Sequence, residues 1–282
     1  MDLPALPEGC IATIVSLTTP RDAGTMSLVS RSFRSAAGCD PVWDKFSPPP
    51  PPTSTRSFPP RHFPCPYSSC MCLPSSASLT KKEQYLALCD NPVLIEQGKL
   101  SFSLDKWSGK KCYMIAARAL SIVWSGTPQY WKWISLPDSR FEEVAELVTV
   151  CWLEIRGQIE TRMLSPSTLY KTYLVLKSTP RAYGFDSHAS EVTIGLMGRS
   201  PRDKRCFWTL IEAIPKLSNP GRSMRPSTRK SWNDWWLEIE MGEYFCQGGE
   251  GEELEMVCWG YQGGHWKGGL IFQGIDIRPK GM

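Results

Sequence analysis

Hydrophobic residues in the first 46 positions recur at three- and four-residue spacings, which indicates helices. The pattern predicts a first short helix that ends near Leu17. Thr19 is a suitable N-cap for a second helix, whose apolar stripe continues to Phe33. A third helical turn is predicted to start at Asp40. Residues 1–46 are therefore predicted to form a small all-α module, too short to bury much apolar surface alone.

Beyond residue 80 the pattern changes to short runs rich in β-branched and aromatic residues, bounded by Gly and Pro. Such runs are typical of strands in an antiparallel sandwich. A capping box at residues 80–83 predicts one helix ahead of the strands. The sequence WLEIRG at 152–157 recurs as WLEIEMG at 236–242, which favours paired sheets. Residues 81–282 are predicted to form an all-β antiparallel sandwich, with strands at 111–116, 147–155, 170–176, 192–196, 235–240, 254–259 and 270–277.

Residues 47–80 separate these two regions and differ from both in composition. They hold ten of the 24 prolines and only two charged residues, Arg56 and Arg61. Five consecutive prolines at 48–52 favour an extended polyproline segment, and no apolar periodicity follows them. We therefore expect a disordered linker.

One group of metal-ligating residue types lies inside this linker. Imidazole and thiolate groups this close in sequence could reach a single tetrahedral ion. Their spacing matches no common Cys-x2-Cys pair, however, and prolines interrupt it. We expect incidental thiols rather than zinc, and neither a metal nor another cofactor anywhere in the chain. The four residues are His62, Cys65, Cys70 and Cys72.

The charge balance and the absence of long apolar runs limit the partners and the compartment. A net charge of +4 over 282 residues is too small to attract nucleic acid or anionic membrane to the whole molecule. The start, Met1-Asp2-Leu3-Pro4, lacks the basic and apolar regions of a secretory signal. No apolar run approaches the roughly 20 residues needed to span a bilayer. We expect a cytoplasmic or nuclear protein without nucleic-acid or membrane partners.

The segment 197–232 departs from the strand pattern and carries nine basic residues against two acids. Its lack of regular apolar spacing predicts a long loop. A dispersed charge run of this kind is typical of a solvated surface. A nuclear import signal or a phosphate-contacting patch is the alternative interpretation.

No catalytic motif stands out in the sequence. It contains no Gly-x-Ser-x-Gly elbow, no phosphate-binding loop and no His-Glu-x-x-His. The adjacent Asp186, Ser187 and His188 do not make a triad, because a triad is defined by geometry in space. Nothing singles out a general acid from a carboxylate pair such as Glu240 and Glu253, although a glycosidase would need one. We therefore expect a non-catalytic protein.

The N-terminal module resembles an F-box, the helical adaptor-binding motif of substrate receptors in cullin-RING ubiquitin ligases. The residues that carry this resemblance are 3–4, 6–8, 11, 14–15, 20–22, 28–34 and 42–43. It implies a Skp-type adaptor and its cullin complex as partners, with apolar anchors on the adaptor face and two charged residues, Arg21 and Asp22, at the rim. The expected anchors are Leu3, Pro4, Leu6, Pro7, Ile11, Ile14, Leu17, Leu28 and Val29.

The C-terminal region resembles the plant phloem protein 2 lectins, the family of the tobacco agglutinin Nictaba. Four segments match, at 111–124, 128–131, 152–157 and 266–279. The resemblance implies a jelly-roll-like lectin sandwich that binds N-acetylglucosamine oligomers and N-glycan cores without metal. An F-box followed by this lectin domain is a known plant architecture, so the two resemblances reinforce each other.

The resemblance also implies specific carbohydrate-binding residues. Trp124 and Trp131 match the family's sugar-site tryptophans, and Glu253 matches a family glutamate. Aromatic faces can stack on a sugar, and carboxylates can accept its hydroxyl protons. From residue type alone, both tryptophans are also candidates for the sandwich core. A second family acid meets Gly260 here, which weakens the expectation of glycan binding, and we assign Trp152 and Trp236 to packing.

These observations together predict a non-catalytic substrate-recognition subunit of an SCF-type ubiquitin ligase. It would bind N-acetylglucosamine-containing glycans or glycoproteins through its lectin domain. The alternative is an adaptor-linked module whose sandwich has lost sugar binding and recognises a protein, which Gly260 favours. A third interpretation, a free defence lectin, conflicts with the intact N-terminal pattern.

Overall fold

A computed structural model describes residues 6–47, 79–185, 190–198, 206–208, 236–248, 251–260 and 264–281. The chain forms two compact units. A helical unit comprises Met1–Val93 and Phe102–Cys112, and a β unit comprises Leu94–Ser101 and Tyr113–Met282. The expected boundary at residue 81 differs from this division, because the helix after the linker and residues 102–112 both belong to the helical unit.

Local capping chemistry explains where most helices of the helical unit begin. Thr80 and Glu83 form the predicted capping box, and the predicted N-cap Thr19 forms a second box with the Asp22 carboxylate. The apolar stripe after Thr19 does not form one continuous helix, because Ser30 caps a separate helix. The helices are α1 (Glu8–Ser16), α2 (Pro20–Met26), α3 (Arg31–Gly38), α4 (Asp40–Phe46) and α5 (Lys81–Asp90).

The core of the helical unit is completed by residues from beyond the linker. Trp43 of α4 is buried, and its ring centroid lies 5.1 Å from that of Tyr85 in α5. The Tyr85 hydroxyl bonds to the carbonyl oxygen of Asp105 at 3.1 Å, and the amide of Arg21 donates to the carbonyl of Trp107 at 3.2 Å. The small module therefore gains apolar burial from α5 and from the turn at 105–110.

The β unit is an antiparallel sandwich, which confirms the predicted fold class. Most predicted strands lie within observed ones, but 147–155 combines the last residue of one strand, a loop and the start of another. The strands are β1 (Val93–Ile95), β2 (Leu100–Leu104), β3 (Lys111–Ala116), β4 (Ser121–Ile122), β5 (Trp131–Ile134), β6 (Val144–Leu147), β7 (Leu153–Glu160), β8 (Thr168–Tyr183), β9 (Ser190–Leu196), β10 (Cys206–Trp208), β11 (Leu237–Cys246), β12 (Glu253–Gly260) and β13 (Gly268–Pro279).

The strands form two sheets that bury their facing sides. One sheet has eight strands in the order β1-β2-β3-β13-β6-β5, with β8 paired to β13 and to β11. The other has five strands in the order β10-β9-β12-β7-β4. Side chains alternate along β7, so positions 153, 155, 157 and 159 face the core while Glu154, Arg156 and Gln158 face outward. This alternation decides which polar groups reach the surface.

Gly274 of β13 is expected to be intolerant of any side chain. A Cβ atom at this position would overlap the carbonyl oxygen of Ile115 on the neighbouring strand. We expect Gly274→Ala to lower the free energy of unfolding by about 3 kcal/mol, since strand separation must increase. Chemical unfolding followed by tryptophan fluorescence measures this. Gly126→Ala is the matched control, because a Cβ there meets nothing within 4 Å, and an equal loss in both variants would contradict the explanation.

Among the residues that the structure describes, no helix combines the length and the apolar character needed to cross a lipid bilayer.

Candidate functional site

Four exposed aromatic side chains gather at one end of the β unit, which we call the aromatic end. Trp124 follows β4, Trp152 precedes β7, Tyr183 ends β8 and Trp266 precedes β13. Their exposed fractions are 43%, 44%, 42% and 52%. Backbone bonds join the segments that carry them: Val150 pairs with Lys267, Val123 donates to the Glu154 carbonyl at 3.1 Å, and Val148 donates to the Tyr130 carbonyl at 2.9 Å.

The half-buried Tyr130 joins two of these exposed rings, those of Trp124 and Trp266, in a row. The ring centroid of Tyr130 lies 5.3 Å from that of Trp124 and 6.5 Å from that of Trp266. Trp124 has a φ of +61°, in the left-handed region that bulky residues avoid. Such backbone strain is concentrated at binding sites, where the surrounding structure maintains it. The arrangement therefore presents apolar ring faces to solvent.

A buried lysine ties together the segments of the aromatic end. Lys267 is only 2% exposed, and burial lowers the pKa of its ammonium group. Burying a cation costs free energy unless hydrogen-bond acceptors replace water, and three backbone carbonyls do so for the Lys267 ammonium group. Two of these carbonyls belong to the residues that immediately precede Trp152 and Trp266. The Nζ atom donates to the carbonyl oxygens of Cys151 (3.2 Å), Gly260 (2.6 Å) and His265 (2.8 Å).

Trp131 is a core residue, which contradicts the stacking role implied for it. It is 2% exposed, and its ring packs 5.8 Å from that of Phe272. Its indole nitrogen donates to the carbonyl oxygen of Val123 at 3.1 Å, next to Trp124. No face of the Trp131 ring is open to a sugar. Trp131 instead supports the turn that carries Trp124, whose exposure is compatible with the predicted sugar contact.

Glu253 lies at the opposite end of its strand from the aromatic end. It begins β12 opposite Glu160, whereas Gly260 ends β12 opposite Leu153. Seven residues of strand span more than about 20 Å, so Glu253 and Trp124 cannot share one small site. Gly260 does lie at the aromatic end. A side chain at this position would point into the sandwich, because its Cβ would lie 3.0 Å from the hydroxyl oxygen of Ser190.

The aromatic end has a different carboxylate, Glu154 on the outer face of β7. Trp152 donates its indole N–H to this carboxylate at 3.0 Å, and Arg156 donates from Nε at 2.7 Å. Desolvation raises the pKa of Glu154, but these hydrogen bonds outweigh it and hold the pKa below its usual value. Trp152 and Glu154 are two residues apart in WLEIRG, so the alternation of a strand places them on one face. The assignment of Trp152 to packing was wrong, whereas Trp236 is buried as expected.

The helical unit exposes most of the predicted adaptor anchors that the structure describes. Ile11 is the exception, because it is 1% exposed and belongs to the core of the unit, so its assignment to the adaptor face was wrong. Pro7 is exposed before the first turn of α1. Leu3 and Pro4 lie outside the described residues. The exposed fractions of the others are 41% for Leu6, 44% for Ile14, 81% for Leu17, 76% for Leu28 and 70% for Val29.

The two predicted rim charges are both exposed but differ in their local roles. The Asp22 carboxylate accepts hydrogen bonds from the amide and hydroxyl of Thr19, so it has a capping function in the free protein. Among the described residues, the guanidinium of Arg21 makes no hydrogen bond or ion pair and is open to solvent.

Within the described ranges, no group of three or more His, Cys, Asp or Glu residues is arranged to hold a metal ion. The linker residues His62, Cys65, Cys70 and Cys72 lie outside those ranges. So do 186–188 and most of the basic segment 197–232.

Comparison with known proteins identifies the family. The family model described as Phloem protein 2 matches residues 110–279. F-box protein PP2-B10 of Arabidopsis thaliana is 42% identical over 98% of this chain and 93% of its own length. F-box protein VBF, also of Arabidopsis thaliana, is 35% identical over 98% of this chain and 99% of its own length.

A solved structure, TmCBM61 in complex with β-1,4-galactotriose, covers 57% of this chain and 87% of its own, with 10% identity and a TM-score of 0.28. That score is too low to support a comparison of sites. The agreement in sequence over nearly the whole chain is decisive by itself. The chain belongs to the phloem protein 2 family and, within it, to the plant proteins that carry an F-box before the lectin-like domain.

Proposed function

We propose that this protein is the substrate-recognition subunit of an SCF-type ubiquitin ligase and that it binds N-acetylglucosamine-containing glycans at the aromatic end. Its helical unit docks on a Skp-type adaptor, which links it to the cullin complex, and the subunit itself is non-catalytic. It acts in the cytoplasm or nucleus. The observation that carries the glycan assignment is the ring row in which the half-buried Tyr130 joins the exposed Trp124 and Trp266.

The exposed apolar residues of the helical unit support the adaptor assignment. Leu17, Leu28 and Val29 are each at least 70% exposed, although smaller apolar residues of the same unit are fully buried. Water-exposed leucines gain free energy when a partner covers them, at roughly 25 cal/mol per Å² of apolar surface. A few such anchors at the centre of an interface supply most of its binding energy. The F-box relationship identifies an adaptor as the partner that covers them.

The geometry of the aromatic end supports the glycan assignment. Centroid separations of 5.3 and 6.5 Å place three rings in a continuous row. The apolar C–H face of a sugar ring can stack on each aromatic face, and the acetyl methyl group adds apolar surface. Because Lys267 holds the supporting segments, the rings lose little freedom on binding, which favours affinity.

A protein ligand is the second candidate for the same surface. Tyrosine and tryptophan are enriched at the centres of protein interfaces, and four exposed aromatic residues are unusual for a surface that binds nothing. Gly260 favours neither candidate, because a side chain at this position would point into the sandwich and away from a ligand at the surface. The two candidates predict different results with a defined oligosaccharide.

The test uses the full chain co-expressed with a Skp-type adaptor and applied to immobilised chitotriose. We expect both proteins to be retained and to elute together with free chitotriose, and we expect cellotriose, which lacks acetamido groups, to elute neither. Retention of the adaptor by the chain without retention on chitotriose would favour the protein-binding alternative. A chain that binds chitotriose but not the adaptor would contradict the ligase assignment.

A further inference from the structure

We propose that Glu154 is the carboxylate that accepts hydrogen bonds from sugar hydroxyls at the aromatic end, with Trp152 as the adjacent stacking surface. This inference rests on the proposed glycan function and names a binding residue for it. It assigns to Glu154 the part that the family resemblance implied for Glu253.

The position of Glu154 in the five-stranded sheet places its backbone next to the segment that carries Trp124. Its backbone carbonyl accepts from Val123, the residue before Trp124. On the other side, it lies opposite Trp259 of β12. Trp152 precedes it by two residues, and its indole nitrogen reaches the Glu154 carboxylate at 3.0 Å. The backbone of Glu154 therefore lies next to the segments that carry Trp124 and Trp259, and its carboxylate contacts Trp152.

The Glu154 carboxylate is fixed in position while it keeps capacity to accept. Trp152 bonds one of its oxygen atoms and Arg156 bonds the other. Two carboxylate oxygens offer about four lone-pair sites, so at least one remains for a sugar hydroxyl. The side chain is 16% exposed, which leaves an approach from solvent. A hydrogen bond to this partly desolvated anion is stronger than one made in water.

The nearby carboxylates fit this role less well. Glu255 accepts from Arg156 at 3.3 Å and from Gln158 at 3.4 Å, and it lies opposite Gln158, four residues beyond Glu154 along β7. Glu253 lies further still, opposite Glu160. Of the three carboxylates, only that of Glu154 accepts a hydrogen bond from an exposed ring of the aromatic end among the described residues, at 3.0 Å from the Trp152 indole nitrogen.

The test compares Glu154→Gln with two matched variants of the full chain, using chitotriose and isothermal titration calorimetry. We expect Glu154→Gln to weaken binding about tenfold or more, because a charge-assisted hydrogen bond is lost. Glu255→Gln shares the contact with Arg156, and Glu253→Gln removes the acid at the far end of β12. Both are expected to bind within about twofold of the wild type, with unfolding temperatures measured for all three.

A second measurement on the wild type covers the case in which Glu154→Gln fails to fold. Monodeoxy analogues of chitotriose each lack one hydroxyl, and we expect one of them to bind about tenfold more weakly. If no single deoxygenation weakens binding, no carboxylate accepts a sugar hydroxyl and the inference is overturned. If the folded Glu154→Gln protein binds as wild type does, the inference fails and the proposed function stands. If the wild type does not bind chitotriose, both the proposed glycan function and this inference are wrong.

Discussion

Replacing both Leu17 and Leu28 with aspartate will reduce binding of the Skp-type adaptor at least 100-fold. These leucines are 81% and 76% exposed, so the substitutions remove no internal packing. An interface that covers them would have to bury two unpaired carboxylates, which costs several kcal/mol. Pull-down of purified adaptor by the full-length double variant, with quantitative titration, measures the loss.

The control for this experiment is Leu94→Asp, which introduces the same charge at a 48% exposed leucine of the β unit. It is expected to bind the adaptor as wild type does. Ile11→Ala is unsuitable, because Ile11 is buried and its truncation would cost about 2–5 kcal/mol of stability. Adaptor binding retained by the Leu17 and Leu28 double variant would place the interface elsewhere on the helical unit.

Trp131→Ala will lower stability strongly and Trp266→Ala will not, although both will weaken glycan binding. Trp131 is buried against Phe272, so Trp131→Ala leaves a cavity and is expected to cost about 3–5 kcal/mol of unfolding free energy. Trp266 is 52% exposed, so Trp266→Ala is expected to leave stability nearly unchanged. It removes one end of the ring row and should weaken chitotriose binding about tenfold.

Thermal unfolding and calorimetric titration of the same samples separate these two effects. Trp124→Ala should behave as Trp266→Ala does, because Trp124 is also exposed. Loss of glycan binding in Trp131→Ala alone would report unfolding of the β unit rather than a lost contact. Wild-type affinity in both Trp124→Ala and Trp266→Ala would contradict the aromatic end as the glycan site.

Helix starts were predictable because capping is local chemistry. The hydroxyls of Thr19 and Thr80 bond to amides three residues later, and the carboxylates of Asp22 and Glu83 return the bond. All partners lie within one turn, so the sequence pattern contains the whole interaction. The helical unit as a whole was less predictable, because Tyr85 reaches it from beyond the linker.

Strands were predictable where apolar and polar residues alternate, and were misjudged where a loop is apolar. The segment 147–155 has the composition of a strand, yet residues 148–152 form a loop between β6 and β7. Val150 in this loop is fully buried and bonds to Lys267, more than 100 residues away. The loop is therefore apolar because it packs against a distant part of the chain, and its apolar composition was mistaken for that of a strand.

The sequence by itself determined the fold class, the F-box and lectin-like resemblances and the alternation that brings Trp152 and Glu154 to one face. Only the tertiary structure decided that Trp131 is buried, that Trp124 and Trp266 are exposed, and that Glu253 lies at the far end of β12. The physical reason is that capping and strand alternation depend on neighbours within a few residues. Exposure and the distance between side chains depend on which strands pair, and strand pairing joins residues that are far apart in the chain.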